Sequence, residues 1–176
     1  MSVSGAGPHT LGLSKTGYVA RELPVESADL SRGSVSYVLE AAPPETVTVS
    51  IASTYAIEVL QGSRSLSAPA ESHRLTVPVG AALTLRAPAY LFQTSLKIGP
   101  KGVEYQAPPL GYLSVLTRYE TCSVRIGARD LGYPPVARLP IASGQHRIDM
   151  VCPDGKNPPG QVVTVTPNGA AVARIF

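Results

Sequence analysis

The sequence contains no tryptophan and few other aromatic residues, with 2 Phe and 8 Tyr among 176 residues. A hydrophobic core must therefore come from Val, Leu, Ile and Ala, which favours several small cores over one deep pocket. Acidic residues are also few, with 12 Asp and Glu in total. They form no pair that we can assign to general acid and base chemistry.

Clusters of basic residues are missing as well. The formal net charge is +3, and the 15 basic residues (11 Arg and 4 Lys) are scattered so that no two of them are adjacent. A nucleic-acid-binding surface usually shows a basic cluster, often with aromatic residues between the charges. We therefore expect no nucleic acid among the partners.

Motifs that carry catalysis, cofactors or membrane insertion are absent from the sequence. There is no G-x-S-x-G elbow, no G-x4-G-K-[ST] phosphate loop and no G-x-G-x-x-G fingerprint, so we expect neither an enzyme nor a cofactor. No run approaches the roughly 18 consecutive apolar residues of a membrane span. The stretch 1–5 has neither the basic nor the apolar region of a signal peptide. We expect a cytosolic protein or a segment of a larger one.

What the sequence does contain is a series of short apolar runs separated by its 16 Gly and 17 Pro. The runs alternate apolar and polar residues with period two, which is typical of strands in small all-β domains. The pattern predicts an all-β fold of mostly antiparallel strands, with little or no helix. It is clearest in four segments: Leu113–Leu116, Cys122–Gly127, His146–Cys152 and Gln161–Val165. In residues 109–176 the alternation predicts seven inward-pointing side chains: Val115, Val124, Ile126, Leu139, Ile148, Met150 and Val165.

The same landmarks recur earlier in the chain. Arg74 and Leu75 precede Gly80 as Arg138 and Leu139 precede Gly144, an offset of 64 residues. The interpretation is a tandem array of small β-sandwich modules, because several landmarks share that offset. It predicts a partial repeat at 1–42 and complete modules at 43–108 and 109–176. The alternative is one large sandwich whose strands alternate alike by coincidence.

In spacing and residue type the stretch 109–176 resembles the PEGA domain family. The resemblance rests on the Gly132–Pro135 turn, on Leu139 followed by Gly144 and His146, and on the strands at either side. It implies a compact β-sandwich without known chemistry of its own. Such modules occur, often in tandem, in bacterial and archaeal surface proteins and in the extracytoplasmic tails of membrane-anchored serine/threonine kinases.

The function expected from this resemblance is a non-catalytic interaction or spacer segment of a larger bacterial membrane-anchored protein, such as a kinase. It would bind a protein or a cell-envelope component, and it would meet the membrane only through its parent protein. The expected location is extracytoplasmic, in the periplasm or at the cell surface. Two alternatives are a carbohydrate- or cell-wall-binding module and a cytosolic regulatory tail of a larger enzyme.

Two cysteines are candidates for a disulfide. Cys122 has the strand parity of Val124 and Ile126, and Cys152 has that of Ile148 and Met150, so both point inward in one module. A bridge between them is favoured further by the extracytoplasmic setting of the family. The alternative is a pair of buried free thiols.

Four tyrosines near module edges are candidates for surface recognition or, alternatively, for holding turns: Tyr18, Tyr90, Tyr112 and Tyr133. The histidines His9 and His146 occupy the same position in different repeats, and we interpret them as strand-entry residues that hydrogen-bond a turn. His73 adds no metal-ligand spacing such as His-x3-His, so we expect no metal site.

The partial first repeat predicts exposed strand edges. Its strand-like runs Thr10–Ser14, Val19–Val25 and Ser34–Leu39 lack the two N-terminal strands of the other modules. Unpaired backbone groups invite pairing with another strand. We expect these runs to pair onto the 43–108 module as added strands or, alternatively, to join a second copy as a homodimer.

Overall fold

The protein is an all-β chain, which confirms the fold class expected from the sequence. In the computed structural model, which describes residues 9–25 and 36–176, the chain forms two compact units, Met1–Glu45 and Thr46–Phe176. Within the described residues the helical content is a 3-10 turn at Pro88–Tyr90. None of their helical segments has the length and apolarity that crossing a membrane requires.

The first unit contains a β-hairpin. Strand β1 (His9–Leu13) pairs antiparallel with β2 (Arg21–Val25) in a two-stranded sheet. The later stretch 36–42 returns to the hairpin loop, where the amide of Val19 donates to the carbonyl of Glu40 at 2.9 Å. Most described side chains of this unit are exposed, so backbone pairing supplies most of its order.

This hairpin corrects one expectation. The first two strand-like runs of the partial repeat are strands, but they pair with each other and add no strand to the sheet of the 43–108 segment. The third run has no strand at residues 36–39, and residues 34 and 35 lie outside the described part. Two strands joined by a short loop satisfy each other locally, which costs less loop-closure entropy than a distant partner.

The second unit begins with a long hairpin of β3 (Thr46–Gln61) and β4 (Arg64–Pro78). Its two-residue loop places Gly62 at a φ of +60°, a conformation that glycine adopts at the first position of a tight hairpin turn. The register of the pair shifts between Ala52 and Ile57. Such a shift marks a β-bulge or a similar irregularity, at which a strand bends, and both strands remain in one five-stranded sheet on either side of it.

The two parts of β3 have different neighbours. The part before the bend lies between β4 and β7 (Val103–Gln106), and it runs parallel to β7. The part after the bend lies between β4 and β5 (Ala82–Ala87), and β6 (Phe92–Lys97) follows at the edge. We refer to residues 46–108 as the upstream half of this unit.

Residues 109–176, the downstream half, hold the remaining strands. One sheet has the order β11–β8–β14, and the other has the order β10–β9–β12–β13. The bounds are β8 (Leu110–Thr117), β9 (Ser123–Ile126), β10 (Arg129–Asp130), β11 (Val136–Ala142), β12 (Gly144–Val151), β13 (Gln161–Val165) and β14 (Ala170–Ile175).

Strand pairing in the two halves follows the same order. The first strand of each half pairs in parallel with the last one, β3 with β7 and β8 with β14. The antiparallel neighbours also correspond, because Val49 faces Leu75 in one half and Leu113 faces Leu139 in the other. These two pairs are related by the offset of 64 residues found in the sequence.

Each half has its own hydrophobic cluster, and the clusters touch across the boundary between the halves. Ala142 of the downstream half belongs to the upstream cluster, and Leu91 packs against the downstream cluster. Of the seven residues predicted to point inward in the downstream half, Leu139 is half-buried against the cluster. The other six are buried: Val115, Val124, Ile126, Ile148, Met150 and Val165.

Cys122 and Cys152 are joined by a disulfide. Since Ser123 faces Val151 in the β9–β12 register, the two cysteines form the next cross-strand pair. The upstream half has Ile57 and Ala87 at the corresponding positions, both buried. A covalent bridge thus stands in one half where an aliphatic contact stands in the other.

We predict that this bridge contributes on the order of 3 kcal/mol to the stability of the unit, because it closes a loop with a sequence separation of 30 residues in the unfolded chain. Urea unfolding with and without a reductant measures the difference. The double variant Cys122→Val/Cys152→Ala, which imitates the upstream aliphatic pair, should lose the dependence on reductant and keep the fold. Two thiols that alkylate in the native, non-reduced protein, as detected by mass spectrometry, would contradict the bridge.

Candidate functional site

The four candidate tyrosines occupy different environments. Tyr18 belongs to the first unit and is 38% exposed, with the ammonium of Lys15 at 4.8 Å from its ring centroid. In the second unit, Tyr112 lies on β8, whereas Tyr133 is 66% exposed in the loop before β11. Tyr90 is half-buried. The three tyrosines of the second unit do not form one binding platform.

Tyr90 packs at the edge of the upstream core. Its ring centroid is 5.0 Å from that of Tyr55, whose hydroxyl donates to the carbonyl of Pro108 at 3.0 Å. Burial of Tyr55, with a smaller contribution from Tyr105, raises its pKa to about 12. This pair therefore fills and closes the core, and we assign Tyr90 no recognition role.

Tyr112 belongs to an open face of the β11–β8–β14 sheet. Along β8 the exposed or half-buried Tyr112, Ser114 and Leu116 alternate with residues that point into the core. On β14, Val172 lies beside Ser114, and Arg174 lies beside Leu116. We call this surface the β8 face, and it comprises Tyr112, Ser114, Leu116, Arg138, Val172 and Arg174.

Three apolar side chains of the β8 face are exposed to solvent. Leu116 is 44% exposed, Val172 is 45% exposed and Tyr112 is 36% exposed. They are neighbours across two paired strands, so they form a contiguous patch instead of isolated surface residues. A contiguous exposed apolar patch of this kind is a mark of an interaction site.

Two arginines lie beside the apolar residues. The guanidinium carbon of Arg138 is 4.8 Å from the ring centroid of Tyr112, and the amide of Arg138 donates to the Ser114 hydroxyl oxygen at 3.1 Å. Stacking on an aromatic ring holds an arginine in place without neutralising its charge. Neither Arg138 nor Arg174 takes part in an ion pair among the described residues.

A shallow groove adjoins the face at the end of β8. It is lined by Leu116, Thr117, Glu120, Pro134, Pro135 and Phe176. Most of these side chains are apolar, and Glu120 contributes one carboxylate. Leu116 belongs to both surfaces, so the groove continues the β8 face beyond the sheet with a lining that is polar as well as apolar.

The residues at the corresponding positions of the upstream half are mostly polar, and a groove lined by residues of β3, β4 and β7 lies there. The pairs Ser50–Glu104 and Ala52–Gln106 occupy the positions that Ser114–Val172 and Leu116–Arg174 occupy downstream. Thr48, two residues before Ser50, correspondingly takes the place of Tyr112. Since both halves pair their strands in the same order, the fold does not require apolar residues at these positions. Their presence in the downstream half needs another reason.

The second sheet of the downstream half presents a different surface. Arg147 and Asp149 form an ion pair at 3.0 Å, and Arg125 and Asp130 form another at 3.4 Å. The pKa of the Asp130 carboxyl lies below its ordinary value, chiefly because the amide of Gly132 donates to it. These charges satisfy one another at the surface, which is the ordinary composition of a solvated sheet face.

The histidines hold backbone geometry. His146 lies 2.7 Å from the Ala142 carbonyl across the β11–β12 turn, as expected of a strand-entry residue. The side chain of His9 lies outside the described part of the structure. His73 is buried, its Nε2 donates to the Ile57 carbonyl at 2.8 Å, and Ser67 donates to its Nδ1 at 2.8 Å. Within the described residues, no group of three or more metal-ligating side chains converges.

The comparisons with known proteins give no family. The sequence matches no protein-family model, and no curated protein matches it significantly. A solved structure, the Bacillus anthracis TIE protein, aligns with 92% of this chain at 10% sequence identity and a TM-score of 0.31. The chain spans 39% of the length of that protein. A similarity at that TM-score carries no argument here.

Sequence analysis identified Tyr112 but missed most of the β8 face. No functional motif includes Leu116, Val172 or the two arginines. Alternation alone does not show which apolar residue on the solvent-facing side of a strand has a functional role. For Leu116 and Val172 the signal is the comparison of corresponding positions in the two halves, whereas Arg138 corresponds to Arg74 and is not singled out by that comparison. Leu116 against Ala52 and Val172 against Glu104 are the informative differences.

We predict that His73→Ala destabilises the second unit by about 1–3 kcal/mol, because it leaves the buried Ile57 carbonyl without its donor. The control is His146→Ala, which removes a half-buried histidine at an ordinary turn and should cost less. Urea unfolding of both variants gives the two values. Equal and small decreases in the free energy of unfolding would mean that the hydrogen bond from His73 to Ile57 does not stabilise the bend of β3.

Proposed function

We propose that the chain is a non-catalytic protein-interaction module and that the β8 face is its contact surface. The observation that carries this proposal is the exposed patch of Tyr112, Leu116 and Val172 beside two arginines that have no ion-pair partner among the described residues. Tyr and Arg are enriched at protein interfaces and among the residues of binding hot spots. The polar upstream face serves as the internal reference, since it has the same strand order without the patch.

The two halves of the second unit are, in this proposal, tandem copies of one module that resembles the PEGA domain. Support comes from the matched pairing orders and from the shared offset of 64 residues between Val49–Leu75 and Leu113–Leu139. The upstream copy supports and spaces the downstream copy. The cluster residues shared across the boundary favour that arrangement, because they hold the two copies together.

The proposed setting is the extracytoplasmic part of a larger bacterial protein that is anchored in the membrane, such as a serine/threonine kinase. The Cys122–Cys152 disulfide supports it, because disulfides persist in oxidising compartments and are rare in the cytosol. The same observation weighs against a cytosolic regulatory tail. We assign the chain no reaction and no cofactor.

A carbohydrate- or cell-wall-binding module is the second candidate. It would use exposed tyrosine rings as stacking surfaces for sugars, and Tyr133 is exposed enough to serve. Tyr112 is less suited, because the guanidinium of Arg138 already covers one side of its ring. The protein-binding proposal uses the stacked pair as it stands, so we prefer it.

Site-specific photo-crosslinking tests the proposal. We predict that a benzoylphenylalanine at position 116 crosslinks to a protein in the envelope fraction of the organism that naturally makes this protein. The reason is that Leu116 belongs to the exposed patch. The matched control carries the same probe at position 52, the corresponding position of the polar upstream face. Mass spectrometry identifies the adduct. No protein adduct at position 116, or equal adducts at both positions, would contradict the proposal.

A further inference from the structure

The charges of the β8 face restrict what can bind there. Arg138 and Arg174 bring two positive charges, and neither has an acidic partner among the described residues. Glu120, in the adjoining groove, is the acidic residue among the groove and face residues named above. An occupant without carboxylates would bury or crowd these guanidinium groups without compensation, which is costly.

A second copy of the same face is a poor occupant. A two-fold symmetric contact places each face against itself. It would bring four guanidinium groups from Arg138 and Arg174 into one small interface. Like charges at such a contact disfavour association. Homodimer formation, which was the alternative expectation for the strand edges of the partial first repeat, is therefore not favoured through this face.

Strand addition at the neighbouring edge is also disfavoured. The side-chain oxygen of Gln161 accepts a hydrogen bond from the amide of Arg174 at 2.9 Å. That amide belongs to β14, the edge strand of the sheet. Because a side chain already occupies it, an incoming strand would have to displace Gln161 first. Docking on the face leaves this hydrogen bond intact.

We infer that the β8 face binds a protein segment with apolar side chains flanked by carboxylates. This inference rests on the proposed protein-binding function and adds the chemistry of the partner. The apolar side chains would cover Leu116 and Val172, whereas the carboxylates would pair with Arg138 and Arg174. Arginine suits this role because its planar fork binds a carboxylate through two hydrogen bonds.

The experiment selects binders from a random twelve-residue peptide library displayed on phage. The full chain is the target, and a face-graft variant is used for counterselection. That variant carries the upstream residues at the corresponding positions, Tyr112→Thr, Leu116→Ala and Val172→Glu, and its thermal unfolding is compared with that of the parent chain. We expect clones that discriminate the two proteins and combine Asp or Glu with large apolar residues.

The selected peptides are then synthesised and titrated against charge variants. The variant Arg138→Gln/Arg174→Gln should weaken binding about tenfold or more, as expected when charge-assisted contacts are lost. Arg125→Gln/Arg147→Gln on the opposite sheet is the matched control, since it removes the same charge away from the face. It should leave the affinity unchanged. Vesicles of phosphatidylglycerol serve as a second probe, to separate a lipid surface from a peptide.

The outcomes separate the two levels of the proposal. Discriminating peptides that are neutral or basic, or that are insensitive to the Arg138 and Arg174 changes, would overturn the inferred partner chemistry and leave protein binding standing. The absence of any clone that prefers the parent chain to the graft would overturn both. Vesicle binding that is lost in the graft, with no discriminating peptide, would also overturn both in favour of a lipid surface.

Discussion

Parallel pairing of the first and last strands of each half is the constraint on which the second unit depends. It places β14 beside β8 and β7 beside β3, so that each stretch of roughly 65 residues closes on itself. A half this small buries limited apolar surface, and closure brings the apolar residues of its strands into one cluster. The disulfide links β9 to β12 in the downstream half, and the aliphatic pair joins the corresponding strands, β3 and β5, in the upstream half.

Closure also creates the surface to which we assign recognition. Leu116 comes from the first strand of the downstream half and Val172 from the last, and they are neighbours because those two strands pair in register. The same pairing upstream brings together Ser50 and Glu104. Both halves therefore have an equivalent outer sheet surface, and the residues on that surface determine whether it stays solvated or binds a partner. This separation of scaffold from surface is what allows one fold to carry different interactions.

Sequence alone predicted the features that depend on local alternation. The parity of Cys122 with Val124, and that of Cys152 with Met150, placed both cysteines inward. The same argument placed six of seven predicted residues in the buried core. Features that depend on the choice of strand partner were not predicted. The β1–β2 hairpin, the bend of β3 and the Tyr112–Arg138 stack arise from which strands meet, and period-two alternation does not encode that choice.

Binding and folding are linked in the downstream half, because the β8 face exists only when β14 is in place. A partner that covers both Leu116 and Val172 binds the closed form and not an opened one, so it stabilises β14 by mass action. The link has a structural consequence for the upstream half, whose cluster includes Ala142 from the strand next to β8. Loss of order in the downstream sheet would remove that contact, so packing against the upstream half contributes to holding the β8 face together.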